Sequence, residues 1–110
     1  MSHEITIQEL RTKMASNRVV LVEALPPAAF ASGHLPGALN LPMDRVEVEA
    51  PARLPERDAE IVVYCASATC KNSHLVGARL AGMGYTNVCV FGGGKAEWRD
   101  QGLALEGGAS

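Results

Sequence analysis

Three short apolar runs punctuate the chain: Val19-Val20-Leu21-Val22, Ile61-Val62-Val63-Tyr64 and Val88-Cys89-Val90-Phe91. Runs of four with no polar alternation predict strands buried on both faces. Elsewhere the apolar spacing is helical. Thr6 and Glu9 have capping-box spacing, and Leu10 and Met14 share a face, so a helix is predicted from about Thr6 to Met14. Asn72 or Ser73 caps a second helix to about Met83, with Val76, Leu80 and Met83 as its stripe and Gly84 as its stop. Shorter helices are predicted from Pro26-Pro27-Ala28-Ala29-Phe30 to a stop at Gly33, from near Asp44 within Met43 to Pro51, and at Ala96-Glu97-Trp98-Arg99. His34-Leu35-Pro36-Gly37-Ala38 reads as a constrained turn, and Leu39-Asn40-Leu41 as a very short strand at most. Pro55-Glu56-Arg57-Asp58 reads as a polar turn and Gly92-Gly93-Gly94 as a flexible one, and Gly108-Ala109-Ser110 as a disordered tail.

Strand and helix therefore alternate, and the strands are short and wholly apolar. That pattern predicts an α/β fold with a parallel sheet covered on both faces. Ligands of such sheets bind beyond the carboxyl ends of the strands. With 110 residues, 47% hydrophobic and 20% charged, the expectation is one soluble domain spanning residues 1–110. The net charge is -2 and no basic run exists, which argues against nucleic acid as a partner. No apolar stretch approaches the ~20 residues that span a bilayer, so no membrane partner is expected. Met1-Ser2-His3-Glu4 lacks the basic start and apolar run of a signal peptide. Three cysteines, Cys65, Cys70 and Cys89, are an odd count for a disulfide framework, so a reducing cytoplasmic location with a free thiol is expected.

Cys65 follows the strongest strand signal directly, which makes the segment Cys65-Ala66-Ser67-Ala68-Thr69-Cys70-Lys71-Asn72-Ser73 the candidate site. A loop joining a strand to a helix start can curl its amides inward, and amides there favour negative charge. A cysteine at the centre is expected to have a lowered pKa. Ala66, Ser67 and Ala68 allow close backbone approach, Ser67 and Thr69 offer hydroxyl donors to an anion, and Lys71 adds positive potential. Two chemistries suit such a loop. One is attack on the outer sulfur of thiosulfate or a persulfide, leaving a persulfide on Cys65. The other is phosphoryl or arsenate chemistry. The second wants an arginine fork on the tetrahedral anion, and no arginine occurs between Cys65 and Arg79.

Several segments together resemble the rhodanese homology domain. Val20-Leu21-Val22-Glu23 resembles its first core strand with an acidic end. Gly33-His34-Leu35-Pro36-Gly37-Ala38-Leu39-Asn40-Leu41-Pro42 is similar to its most recognisable signature. Ile61-Val62-Val63-Tyr64-Cys65 resembles the strand leading to its catalytic cysteine, and Gly84-Tyr85-Thr86-Asn87-Val88, Gly92-Gly93-Gly94 and Trp98 complete the order. The resemblance runs over roughly residues 19 to 105. It implies a central parallel sheet of about five strands with helices on both faces, and a cysteine that carries sulfane sulfur. It also implies a sulfurtransferase needing no cofactor, with a small sulfur donor and a thiol or protein acceptor as partners. Two departures stand out. The family's Asp-Val-Arg triplet is here Glu23-Ala24-Leu25, so any tie its arginine gives to neighbouring loops must come from elsewhere. The active loop is about two residues longer than usual, with Ser73 eight positions after Cys65 and neither Gly nor Arg within it.

Cys65 and Cys70 lack the two-residue spacing of thioredoxin-like motifs. With His74 they offer three metal ligands and no clear fourth, and no metal site is assigned. Cys70 is instead a candidate resolving thiol, able to attack a Cys65 persulfide or sulfenic acid, or else a small residue at a helix start. Cys89 alternates with valines and reads as inert core. Glu23 and His34 read as structural residues near the site, His34 bracing its turn through a backbone contact. The rival functions are a non-catalytic binding module on the same fold and a Cys65/Cys70 redox switch. The sequence fixes neither donor, acceptor nor oligomeric state.

Overall fold

The computed structural model describes residues 3–16 and 18–107. The expected tail at Gly108-Ala109-Ser110 lies outside them. The strands are β1 (His3–Ile5), β2 (Val20–Glu23), β3 (Leu39–Asn40), β4 (Ile61–Tyr64) and β5 (Val88–Phe91). All pairings are parallel and the order is β1-β5-β4-β2-β3. The helices are α1 (Ile7–Ala15), α2 (Pro27–Ser32), α3 (Val46–Arg53), α4 (Asn72–Gly82) and α5 (Gly94–Asp100), with a 3-10 turn at Met43–Arg45.

Each apolar run forms a strand, because only a strand covered on both faces buries four successive apolar residues. Alternate side chains of the strands enter two cores. Val22, Ile61, Val63 and Val88 pack with Val46 and Ala50 of α3 and Val76 and Leu80 of α4. Leu21, Val62, Tyr64, Cys89 and Phe91 pack on the other face with Ile7 and Leu10 of α1 and Trp98 of α5. The sheet is thus sandwiched, as the α/β pattern predicts.

Three elements differ from the sequence expectation. α4 begins at Asn72 behind Lys71, with no side-chain cap, because the Asn72 side-chain amide is spent on Ala24 O; neither Asn72 nor Ser73 caps it. β1 has no apolar run to announce it; His3 and Glu4 are exposed and only Ile5 is buried. Its pairing with Cys89, Val90 and Phe91 makes it a strand, and it completes the five. α5 starts at Gly94, inside the run expected to be a flexible turn. The first amides of a helix need acceptors from outside it. Here the Lys95 amide donates to Cys65 O (3.0 Å) and the Ala96 amide to Ala66 O (2.9 Å). The start of α5 is therefore set by the segment that carries Cys65.

The strand register aligns Glu23, Tyr64 and Phe91 at the carboxyl edge of the sheet, with Asn40 beside Glu23. Every strand ends on that same side. The next residue along β4 is Cys65.

Candidate active site

A buried polar platform lies at this edge. Glu23 is fully buried and Lys95 nearly so. Lys95 Nζ donates to Glu23 Oε2 (3.1 Å), Gly33 O (2.8 Å) and Ala29 O (3.1 Å), which uses all three of its protons. Glu23 Oε1 accepts from the Tyr64 hydroxyl (2.7 Å), whose oxygen accepts from the Leu35 amide (3.0 Å). Burial and the adjacent Glu23 carboxylate push the Tyr64 phenol well above its ordinary range, so it stays a donor. One cation thus ties β2, the end of α2 and the turn after it into one unit. Leu25 stands where an arginine would complete the resemblance, and it is buried; Lys95 supplies the tie from the far end of the chain. Sequence reasoning missed Lys95, because a lysine after three glycines reads as solvated by default. The buried acid at Glu23 and the lack of an arginine at position 25 were the signals that a cation had to arrive from elsewhere.

Gly94 is the second residue missed. Its φ is +62°, and a Cβ there would lie 2.3 Å from Cys65 O. Only glycine lets α5 approach closely enough to bind that carbonyl. The loop's other end is held by Asn72, whose Nδ2 donates to Ala24 O (3.1 Å). Asn72 also forms a wall of a cleft of about 270 Å³ with Pro26, Pro27, Pro42, Met43 and Asp44.

Between these anchors lies the thiol. Cys65 is 1% exposed. It donates to Cys70 O (3.3 Å), with Ser67 O farther off (4.0 Å), and its Sγ lies 3.5 Å from the Ser73 hydroxyl. The Ser73 amide, in the first turn of α4, also supports negative charge on the sulfur. The loop folds back through a Cys70 amide bond to Ser67 O (3.1 Å). This turn sets residue 70 over residue 65, with the Cys70 carbonyl on Cys65 Sγ.

The electrostatics reverse one expectation. Burial pushes the Cys65 thiol above its ordinary value, and hydrogen bonding to Cys70 and the Cys70 charge add to it; the Ser73 hydroxyl and amide pull down and are outweighed. Only part of the expected ring of amides faces Cys65, since the loop presents carbonyls there. Burial also pushes Cys70 up. Hydrogen bonds from the Cys65 side chain and the Asn72 and Ala66 amides outweigh it and hold Cys70 below its ordinary value. The lowered thiol is Cys70.

The other predicted residues fall around this centre. Ala66, Ala68, Thr69 and Lys71 are exposed, and Ser67 is half-buried. The Ser67 and Thr69 hydroxyls bond each other (3.1 Å). His34 stands back from the thiols. Its ring stacks on Phe30 with centroids 3.9 Å apart, its Nδ1 bonds Phe30 O (3.0 Å), and its backbone exchanges two hydrogen bonds with Glu106. Cys89 is a free, buried thiol in the core that holds α1. Among the described residues, no group of three or more His, Cys, Asp or Glu is placed to hold a metal ion. No described helix is long and apolar enough to cross a membrane.

Comparison with known proteins places this arrangement. The family model described as rhodanese-like domain matches residues 6–101. A sulfurtransferase of Allochromatium vinosum is 34% identical over 108 residues, which cover 96% of this chain and 95% of that protein. The HTH-type transcriptional regulator Rv0324 of Mycobacterium tuberculosis is 35% identical over 107 residues, 96% of this chain but 45% of the regulator. Among solved structures, a thiosulfate sulfurtransferase from Pseudomonas aeruginosa superposes with a TM-score of 0.83 at 32% identity, over 94% of this chain and 19% of that one. The matched region includes the whole loop from Cys65 to Ser73, and the chain belongs to the rhodanese-like domain family.

Proposed function

We propose that the protein is a sulfurtransferase that carries sulfane sulfur as a persulfide on Cys65. The observation that carries this reading is the seat of Cys65. It follows the central strand of a parallel sheet, its carbonyl is fixed by α5, and its sulfur faces the first turn of α4. A free thiol gains no packing advantage from a position bounded by polar loop atoms. The names of the Allochromatium and Pseudomonas relatives support the same class of chemistry.

In the first half-reaction the Cys65 thiolate attacks the outer sulfur of thiosulfate. A Cys65 Sγ–S bond forms, the S–S bond of thiosulfate breaks, and its electron pair leaves with sulfite. A persulfide donor reacts likewise, with a thiolate leaving. In the second half-reaction a thiol or protein acceptor takes the outer sulfur and Cys65 is regenerated. The loop of residues 66–71 admits the donor, with Lys71 the nearest exposed cation in sequence. The chemistry belongs in a reducing cytoplasm, where the thiols stay free.

The Rv0324 relative favours a second reading, a binding module that serves a longer regulator. One experiment separates the two. Purified, reduced protein is treated with thiosulfate or glutathione persulfide, and its intact mass and any released sulfide are measured beside Cys65→Ser. Sulfur taken from the donor, seen either as one added sulfur atom removed by dithiothreitol or as released sulfide, and absent in the variant, is the expected result. Neither an adduct nor sulfide from either donor overturns the carrier reading in favour of the binding module.

A further inference from the structure

We propose that Cys70 is a resolving thiol that discharges the Cys65 persulfide as inorganic sulfide and leaves a Cys65–Cys70 disulfide. This rests on the carrier reading of Cys65 and adds a second activity to the same loop, the reductive release of sulfide.

The geometry carries it. The turn closed by the Cys70 amide on Ser67 O brings residue 70 back onto Cys65, with Cys65 Sγ 3.3 Å from Cys70 O. Cys65 Sγ, which is the inner sulfur of a Cys65 persulfide, therefore lies against residue 70. Exposure divides the roles. Cys65 is sealed, whereas Cys70 is half-exposed at the loop surface, where a reductant can reach it. The Ala66 and Asn72 amides favour a thiolate on Cys70, the form needed for attack. Cys89 lies in the core on the α1 face and is not a partner.

In the step itself the Cys70 thiolate attacks Cys65 Sγ. A bond forms between the two Sγ atoms, and the bond from Cys65 Sγ to the outer sulfur breaks. Its electron pair leaves with the outer sulfur, which departs as hydrosulfide carrying the persulfide proton. The sulfane sulfur is reduced by two electrons and the two cysteines are oxidised by two. A dithiol reductant returns the pair to thiols by thiol–disulfide exchange and is itself oxidised to a disulfide.

The test uses reduced, desalted protein mixed with thiosulfate and no other thiol. Wild type is expected to release about one sulfide per chain, to lose the mass of two hydrogens, and to yield a peptide linking Cys65 to Cys70. Cys70→Ser is expected to keep one added sulfur atom on Cys65 and to release at least tenfold less sulfide. Adding dithiothreitol to wild type should make sulfide release continuous. The wild-type readings stand by themselves if the variant folds poorly. A wild type that holds the added sulfur on Cys65 without disulfide or sulfide overturns the proposal and leaves the carrier reading intact. So does sulfur mapped onto Cys70, which would make that residue a relay. If neither protein takes up sulfur and wild type releases no sulfide, from thiosulfate or from glutathione persulfide, the carrier reading fails and this proposal with it.

Discussion

The platform beneath Cys65 and the loop above it are built on opposite principles. Below, every polar group of Glu23, Lys95 and Tyr64 has a partner inside the protein, and the carbonyls of Cys65 and Ala66 are gripped by amides of α5. Above, residues 66–71 are mostly exposed and bond largely to one another. The platform fixes where the Cys65 sulfur sits, and the loop over it is tied far less to the rest of the fold. A satisfied buried network specifies one geometry, and its loss leaves charges stranded.

The strongest way to break that contrast is Lys95→Met. It strands the Glu23 carboxylate in the core and removes the donor to Ala29 O and Gly33 O. Removing one partner of a buried pair costs about 3–5 kcal/mol. Urea unfolding should show a loss of that size, and Glu23→Gln added to the same chain should recover part of it, because the stranded charge is gone. Lys71→Ala on the exposed loop should stay within about 0.5 kcal/mol of wild type. Equal effects at the two lysines would sink the division between platform and loop.

Gly94→Ala tests the clamp more gently. The left-handed backbone costs an L-residue about 1–2 kcal/mol, and the new methyl would press on Cys65 O. The expected outcome is a moderate loss of stability with a larger fall in the rate of sulfur loading, since the displaced group is the peptide of Cys65. A loss of stability with unchanged loading would show that the clamp serves folding alone.

Much of the scaffold can be read from local pattern, and what escapes reading is non-local. The runs at residues 19–22, 61–64 and 88–91 announce their strands, because double-sided burial demands uninterrupted apolar residues. The Thr6–Glu9 capping box is present with both of its hydrogen bonds. β1 escapes because an edge strand with one buried residue owes its existence to its partner. The start of α5 and the role of Lys95 escape because the acceptors lie about thirty to seventy residues away in sequence. At the site, the strand end singles out Cys65, but the direction of its pKa shift depends on how the loop folds over it. Strand-then-helix spacing suggests amides around the sulfur, whereas the turn at Ser67–Cys70 presents carbonyls and a second thiol.

The finest test of the contrast is the titration of the two thiols, because it reads loop geometry without disturbing the platform. Cys70 is held below its ordinary value, so its thiolate persists to lower pH than that of a free cysteine. Cys65 is raised, so its thiolate appears only at higher pH. Iodoacetamide alkylation followed by peptide mapping across a pH series should therefore modify Cys70 first, with a midpoint below that of an ordinary thiol. Cys65 should react later, from both its burial and its higher midpoint. Cys70→Ser removes a hydrogen-bond partner and a charge that both raise Cys65. The Cys65 midpoint should then move down, with the Ser73 hydroxyl and amide left to favour its thiolate. An unchanged or higher Cys65 midpoint in that variant would show that burial alone sets its titration and that the two sulfurs behave independently.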